Sequence, residues 1–216
     1  MSNERSEAAQ AAAMQRVVDD LAYSYSGVFS RESVAQVVQE SHELLAERST
    51  VASFHLVLTE RFARERLSAQ AKAQGLRSTG APEVLFICVR NAGRSQIAAA
   101  LMNLRSDGRV NVRSAGSMPG DEVHPVVTQA LGEIGVDVAD AYPKPLTDDV
   151  VRASDVIVTM GCGDACPFYP GKRDLDWDLP DPAGRTLDEV RAIRDEIDVR
   201  VQSLLAEILP DAPVPA

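Results

Sequence analysis

Cys88 and Arg94 stand six positions apart in the segment Cys88-Val89-Arg90-Asn91-Ala92-Gly93-Arg94-Ser95. A thiolate is a strong nucleophile, and a guanidinium is a planar fork that grips two oxygens of a tetrahedral anion. The pair alone is weak evidence, because arginine is common in this chain. Its setting is stronger. The preceding Val84-Leu85-Phe86-Ile87 is a continuous apolar run of the kind a buried parallel strand shows, and residues 95–104 read as a helix. A loop between a strand and a helix start, freed by Gly93, can turn the N–H groups of Val89, Arg90, Asn91, Ala92, Gly93, Arg94 and Ser95 around an oxyanion. The helix terminus and Arg94 also favour an ionised Cys88. Nucleophile and cradle then come from one short loop. The bland alternative is a buried cysteine at a strand end with a surface arginine nearby, and the strand–loop–helix placement speaks against it.

A second reactive cluster is Gly161-Cys162-Gly163-Asp164-Ala165-Cys166-Pro167. Three readings compete. A metal site lacks close ligand spacing and a nearby histidine, since the chain has only His42, His55 and His124; no metal is expected. Two unrelated buried cysteines sit poorly with the flanking glycines and Pro167. The third reading is a pair of resolving thiols that collect oxidising equivalents. On a rigid helix, positions four apart have Cβ atoms about 5–6 Å apart, whereas a disulfide needs about 3.5–4.5 Å. Residues 161–170 are therefore expected to form a mobile loop, or a short helix that unwinds on oxidation.

These groups need elements to position them. Residues 9–25, 30–48 and 53–74 carry apolar residues at helical spacing, with Ser30 a candidate N-cap, and predict a small three-helix bundle over residues 1–76. Gly75 ends the third helix, and Arg77-Ser78-Thr79-Gly80-Ala81-Pro82 reads as a linker, residues 77–82. Residues 83–216 change to alternating strands and helices. Further strands are predicted at 110–112, 155–160 and 175–179, with helices at 124–134 and 146–152. Thr186-Leu187-Asp188-Glu189 is a capping box, followed by the stripe Val190, Ile193, Ile197, Val201, Leu204, Leu205 and Ile208. Such alternation implies a parallel sheet covered on both faces, with ligands at the carboxyl ends of its strands, where Cys88 falls.

Composition limits the function classes. The chain has 216 residues and a net charge of -10, so a general nucleic-acid binder is not expected. Residues 1–76 carry -2 of this and the rest -8, so positive potential must be focused at one spot to hold an anion. Arg61, Arg64, Arg66 and Lys72 on the third helix would be the footprint of a DNA-binding module, but Glu60 and Glu65 interrupt them and a solvated face is the better reading. The polar, acidic first ten residues predict no secretory signal, no stretch is long and apolar enough for a membrane span, and three cysteines make no disulfide framework. A cytoplasmic monomer is expected.

Cys88 to Ser95 resembles the signature loop of low-molecular-weight protein tyrosine phosphatases and of the arsenate reductases that share their fold, and the likeness extends over about residues 83–209. Ser114-Ala115-Gly116-Ser117 resembles the segment that ends the family's second strand, and Asp181-Pro182 its general-acid loop. The resemblance implies an α/β domain with a four-stranded parallel sheet flanked by helices, here preceded by the all-α bundle. It implies that Cys88 attacks the oxyanion, Arg94 stabilises it, Asp181 protonates the leaving oxygen, and Asn91 and Ser95 brace the loop and its thiolate. Thioredoxin-coupled arsenate reductases use a three-cysteine relay. By that resemblance Cys162 attacks the Cys88 sulfur as arsenite departs, and Cys166 then closes a Cys162–Cys166 disulfide for an external reductant. No bound cofactor is implied. Thioredoxin is the expected partner, with mycothiol and mycoredoxin the alternative. The rival function is a tyrosine phosphatase; Ala183-Gly184, where that branch carries tyrosines, and the cysteine pair favour reduction.

Overall fold

The structure is a computed structural model, and it describes residues 2–46, 55–77, 80–161 and 170–209. The chain forms two compact units, Met1–Ser78 and Thr79–Ala216.

The first unit contains α1 (Ser2–Ser24), α2 (Arg31–Ala46) and α3 (His55–Ala73). Val17, Val18, Leu21, Tyr25, Val34, Val37, Val38, Ala63 and Leu67 form its core. They recur at helical spacing, which is why the periodicity was visible in the sequence. α1 begins earlier than that periodicity because Ser2–Ala8 is helix-compatible but lacks an apolar stripe. Ser30 caps α2, its hydroxyl accepting from the Ser33 amide at 3.2 Å. α3 ends in a Schellman turn: Gly75 adopts φ 69°, its amide donates to the Lys72 carbonyl, and the Leu76 amide donates to the Ala71 carbonyl. Arg66 corrects the expectation of a solvated basic face. It is buried, donating to Glu40 Oε2 at 2.9 Å and to the Ser41 hydroxyl at 3.2 Å, while Arg64 pairs with Glu60. Arg66 is thereby withdrawn from the surface, whereas Arg64 stays exposed.

Burial and the nearby His55 hold the His42 imidazole below its ordinary value of 6.5. The folded unit then binds its proton less readily than the unfolded chain. Its stability is full above about pH 6.5 and declines as pH falls through the lower folded value. Thermal unfolding followed from about pH 7.5 to pH 5 should show this loss, and His42→Gln should flatten it; an unchanged slope in the variant would contradict the assignment.

The second unit holds a four-stranded, all-parallel sheet in the order β2-β1-β3-β4. Its strands are β1 (Glu83–Cys88), β2 (Asn111–Gly116), β3 (Val156–Met160) and β4 (Arg173–Asp176), and its helices α4 (Arg94–Ser106), α5 (Pro125–Gly132), α6 (Asp148–Ala153) and α7 (Leu187–Ile208). The four-stranded parallel sheet is as expected. β1 is buried throughout and runs through the centre. Val84, Phe86 and Cys88 share one face with Val156, Val158 and Met160, against Ile97, Leu101 and Met102 of α4 and Val190, Ile193, Ile197 and Val201 of α7. Leu85, Ile87 and Ile157 are buried on the other face, where α6 contacts β1. β4 lies earlier than the predicted 175–179. The reason is that Arg-Asp-Leu-Asp is a largely exposed edge strand with no apolar run, and its position is fixed only by pairing, Val156 with Arg173 and Thr159 with Asp176. β2 runs on to Gly116 because Ser114, Ala115 and Gly116 pair with Phe86, Ile87 and Cys88. The capping box forms as read: Thr186 Oγ1 accepts from the Glu189 amide, and the Glu189 carboxylate accepts from the Thr186 amide.

Candidate active site

Cys88 is the last residue of β1, and α4 opens at Arg94, so the six-residue interval is one turn of loop at the carboxyl edge of the sheet. Five successive loop carbonyls are engaged. Those of Cys88, Val89, Arg90 and Ala92 accept from the amides of Ser117, Met118, Gly120 and His124, at 2.8–3.2 Å. That of Asn91 accepts from Gln96 Nε2 at 3.0 Å. In a planar trans peptide the following N–H points opposite its carbonyl. The amides of Val89, Arg90, Asn91, Ala92 and Gly93 are thereby turned away from these donors, which leaves them available to an anion.

Glycines let this loop be approached closely. A Cβ on Gly93 would lie 2.5 Å from Pro182 Cγ, and one on Gly116 would lie 2.7 Å from the Val89 carbonyl. A Cβ on Gly161 would collide with Arg94 Nη1, so the guanidinium lies directly against the residue that precedes Cys162.

Cys88 is buried, with Sγ 2.9 Å from the Ser95 hydroxyl. Ser95 in turn accepts from Asn91 Nδ2 at 2.9 Å. The amide of Asn91 is oriented by its other end: Oδ1 accepts from the Lys144 backbone N–H at 2.9 Å, a group that can only donate. With Nδ2 held toward Ser95, the serine oxygen is an acceptor on that side and its proton is free to be aimed at Sγ. The Ser95 hydroxyl can therefore donate to Cys88 Sγ. Asn91 itself occupies the left-handed region, φ 47°, which asparagine tolerates better than most residues.

Arg94 is buried. Its Nη2 donates to Asp181 Oδ2 at 2.6 Å and its Nη1 to the Leu179 carbonyl at 3.2 Å. Asp181 is half exposed, and its Oδ1 accepts from the Ala183 amide at 2.9 Å. The two side chains expected to supply the proton and to clamp the anion, Asp181 and Arg94, therefore meet directly. Arg90 is exposed at the loop rim, its guanidinium beside Gly120. Cys162 and Cys166, and nearly all of the segment expected to be mobile, lie outside the described residues. The chain enters that pair two residues after Met160, which is in register with Cys88. Among the described residues no cluster of three or more metal-binding side chains occurs, and no helix is long and apolar enough to cross a membrane.

The sequence brought Cys88, Asn91, Arg94, Ser95 and Asp181 forward, and the fold gathers them. It gave no sign of Gln96, of the Leu179 carbonyl, of the 117–124 donors or of Gly161 as a contact. Backbone acceptors and close approaches leave no pattern in residue type.

A four-stranded parallel sheet with a cysteine–arginine loop between β1 and α4 at its carboxyl edge is the arrangement that the sequence resemblance implied. Residues 83–213 match the low molecular weight phosphotyrosine protein phosphatase family, and residues 14–71 match the protein-tyrosine-phosphatase-like N-terminal domain. The chain belongs to the low molecular weight phosphotyrosine protein phosphatase family. It is similar to the thioredoxin-dependent arsenate reductase of Corynebacterium glutamicum, with 47% identity, a TM-score of 0.82, and coverage of 92% of this chain and 97% of that one. It is also similar to arsenate reductase 1 of Staphylococcus epidermidis, 34% identical over 124 residues, 56% of this chain and 92% of that protein. The glutaredoxin arsenate reductase of Synechocystis sp. is 31% identical over 129 residues, 58% of this chain and 98% of that protein.

Proposed function

We propose that the protein reduces arsenate to arsenite through Cys88, with Cys162 and Cys166 as the relay and thioredoxin as the reductant. The observation that carries this reading is the hydrogen-bonded chain Asn91–Ser95–Cys88 in the loop that ends at Arg94, on a strand in register with the one that leads into the cysteine pair. The names of the similar proteins, a thioredoxin-dependent reductase among them, support it.

In this mechanism the loop amides and Arg94 hold three arsenate oxygens. Arg94 must exchange its Asp181 contact for the anion, which releases the carboxyl beside the leaving oxygen. The Cys88 thiolate forms an S–As bond, Asp181 supplies a proton, and water leaves. The Cys162 thiolate then attacks Cys88 Sγ. The S–As bond breaks with its electron pair passing to arsenic, so As(V) becomes As(III) and arsenite departs, leaving a Cys88–Cys162 disulfide. Cys166 attacks Cys162, forms the Cys162–Cys166 disulfide and frees Cys88. An external dithiol takes up that disulfide.

A phosphatase reading uses Cys88, Arg94 and Asp181 alone, and slow hydrolysis of an aryl phosphate is compatible with the reductase. The test is arsenate-dependent NADPH oxidation by the purified full chain, with thioredoxin and thioredoxin reductase in one arm and mycothiol and mycoredoxin in the other. Turnover in the thioredoxin arm is expected. Turnover only in the mycothiol arm would replace the reductant, and turnover in neither would sink the reductase assignment.

A further inference from the structure

Gln96 stands where three parts of the structure meet, and none of the reactions above uses it. It lies in the first turn of α4 and is buried, with 6% exposure. Its Nε2 is within hydrogen-bond distance of the Asn91 carbonyl at 3.0 Å, Asn91 Oδ1 at 3.3 Å and the Tyr142 carbonyl at 3.1 Å. All three are acceptors, so the orientation of the Gln96 amide is fixed.

We propose that Gln96 is a positioning residue that sets both the anion cradle and the reactivity of Cys88. Of the five loop carbonyls, four are held by backbone amides of residues 117–124. The fifth, that of Asn91, is held by this side chain. Its direction determines where the Ala92 amide points, because the two belong to one planar peptide. Without Gln96 this peptide, in a residue already at positive φ, loses its restraint, and one donor leaves the cradle. The second effect runs through the side chain. Asn91 Oδ1 is shared by Gln96 and the Lys144 amide, and Nδ2 reaches Ser95, which reaches Sγ. Gln96 thus acts on the thiolate through two intermediaries. The Tyr142 contact ties the same amide to the 142–146 segment, which is itself bonded to the end of β2 through Gly116.

The inference rests on Cys88 being the activated nucleophile, and the test separates the two. In a Cys162→Ser/Cys166→Ser background Cys88 is the only cysteine, and its alkylation by iodoacetamide can be followed against pH. Inorganic phosphate must protect Cys88 of the folded background protein from alkylation, as expected of a sulfur inside an anion site; alkylation that phosphate leaves unchanged would overturn the nucleophile reading itself. Adding Gln96→Met, similar in size but without a donor, should slow alkylation about tenfold at about pH 6 while rates converge near pH 9, and should weaken protection by inorganic phosphate about tenfold. Gln96→Glu, of nearly equal shape, is the second variant and should slow the reaction in the same sense, so one folded variant suffices. Profiles and phosphate protection that match the background, even with a lowered urea midpoint, would show a merely structural role and overturn the proposal.

Discussion

Cys88→Ser should lower arsenate reduction by more than about a thousandfold while leaving phosphate binding within about threefold of wild type. The split follows from where each function resides. The attacking atom is the sulfur, and a serine hydroxyl at the same place remains protonated near neutral pH and forms no redox-active bond to arsenic. The anion is held by other groups, the loop amides and the Arg94 fork, whose placement depends on the 117–124 donors and Gln96 rather than on the sulfur. The substitution is also small. Cys88 is 2% exposed, and a hydroxyl in its place still faces the Ser95 oxygen, so the buried polar atom keeps a partner. Isothermal titration with phosphate and a coupled turnover assay check both halves. Joint loss of binding and turnover would mean that Sγ itself shapes the cradle.

Cys166→Ser should abolish repeated turnover, to below about a hundredth of wild type, and yet release close to one arsenite per protein in a single cycle. The first two bond changes, S–As formation and attack of Cys162 on Cys88, do not involve Cys166. The oxidising equivalents then remain in a Cys88–Cys162 disulfide at a buried sulfur, where an external dithiol has poor access. Hydrolysis of an aryl phosphate, which needs only the cradle, Cys88 and Asp181, should survive in the reduced variant. Cys162→Ser should differ by failing in the first cycle. If the two variants exchange these behaviours, the order of attack is reversed although the pair is correctly named.

The elements and site residues differ in how far residue types alone reveal them. The Val84–Ile87 run and the stripe on α7 were legible because burial on one or both faces demands continuous or periodic apolar residues. The cysteine–arginine loop was legible because nucleophile, glycine and clamp lie within one short stretch. β4 was not, since Arg173–Asp176 is an exposed edge whose place is fixed by long-range pairing with β3. Gln96 was invisible for a related reason: its partners are carbonyls of Asn91 and Tyr142, and any residue type supplies a carbonyl. Gly161 read as a loop breaker, whereas its lack of a Cβ lets the Arg94 guanidinium lie against the start of the cysteine segment. Arg66 looked like part of a charged surface because Glu60 and Glu65 stand near it in sequence; its partners, Glu40 and Ser41, come from another helix.

Electrons for arsenate reduction are proposed to come from Cys88 and to be made good by the Cys162–Cys166 pair. Fully reduced protein mixed with excess arsenate in the absence of any reductant tests it most directly, by quantifying arsenite and mapping disulfides in the quenched product. One arsenite per chain, a protein lighter by two hydrogens, and a Cys162–Cys166 disulfide with Cys88 again free to be alkylated are expected. Three free thiols and no arsenite after the same exposure would contradict it.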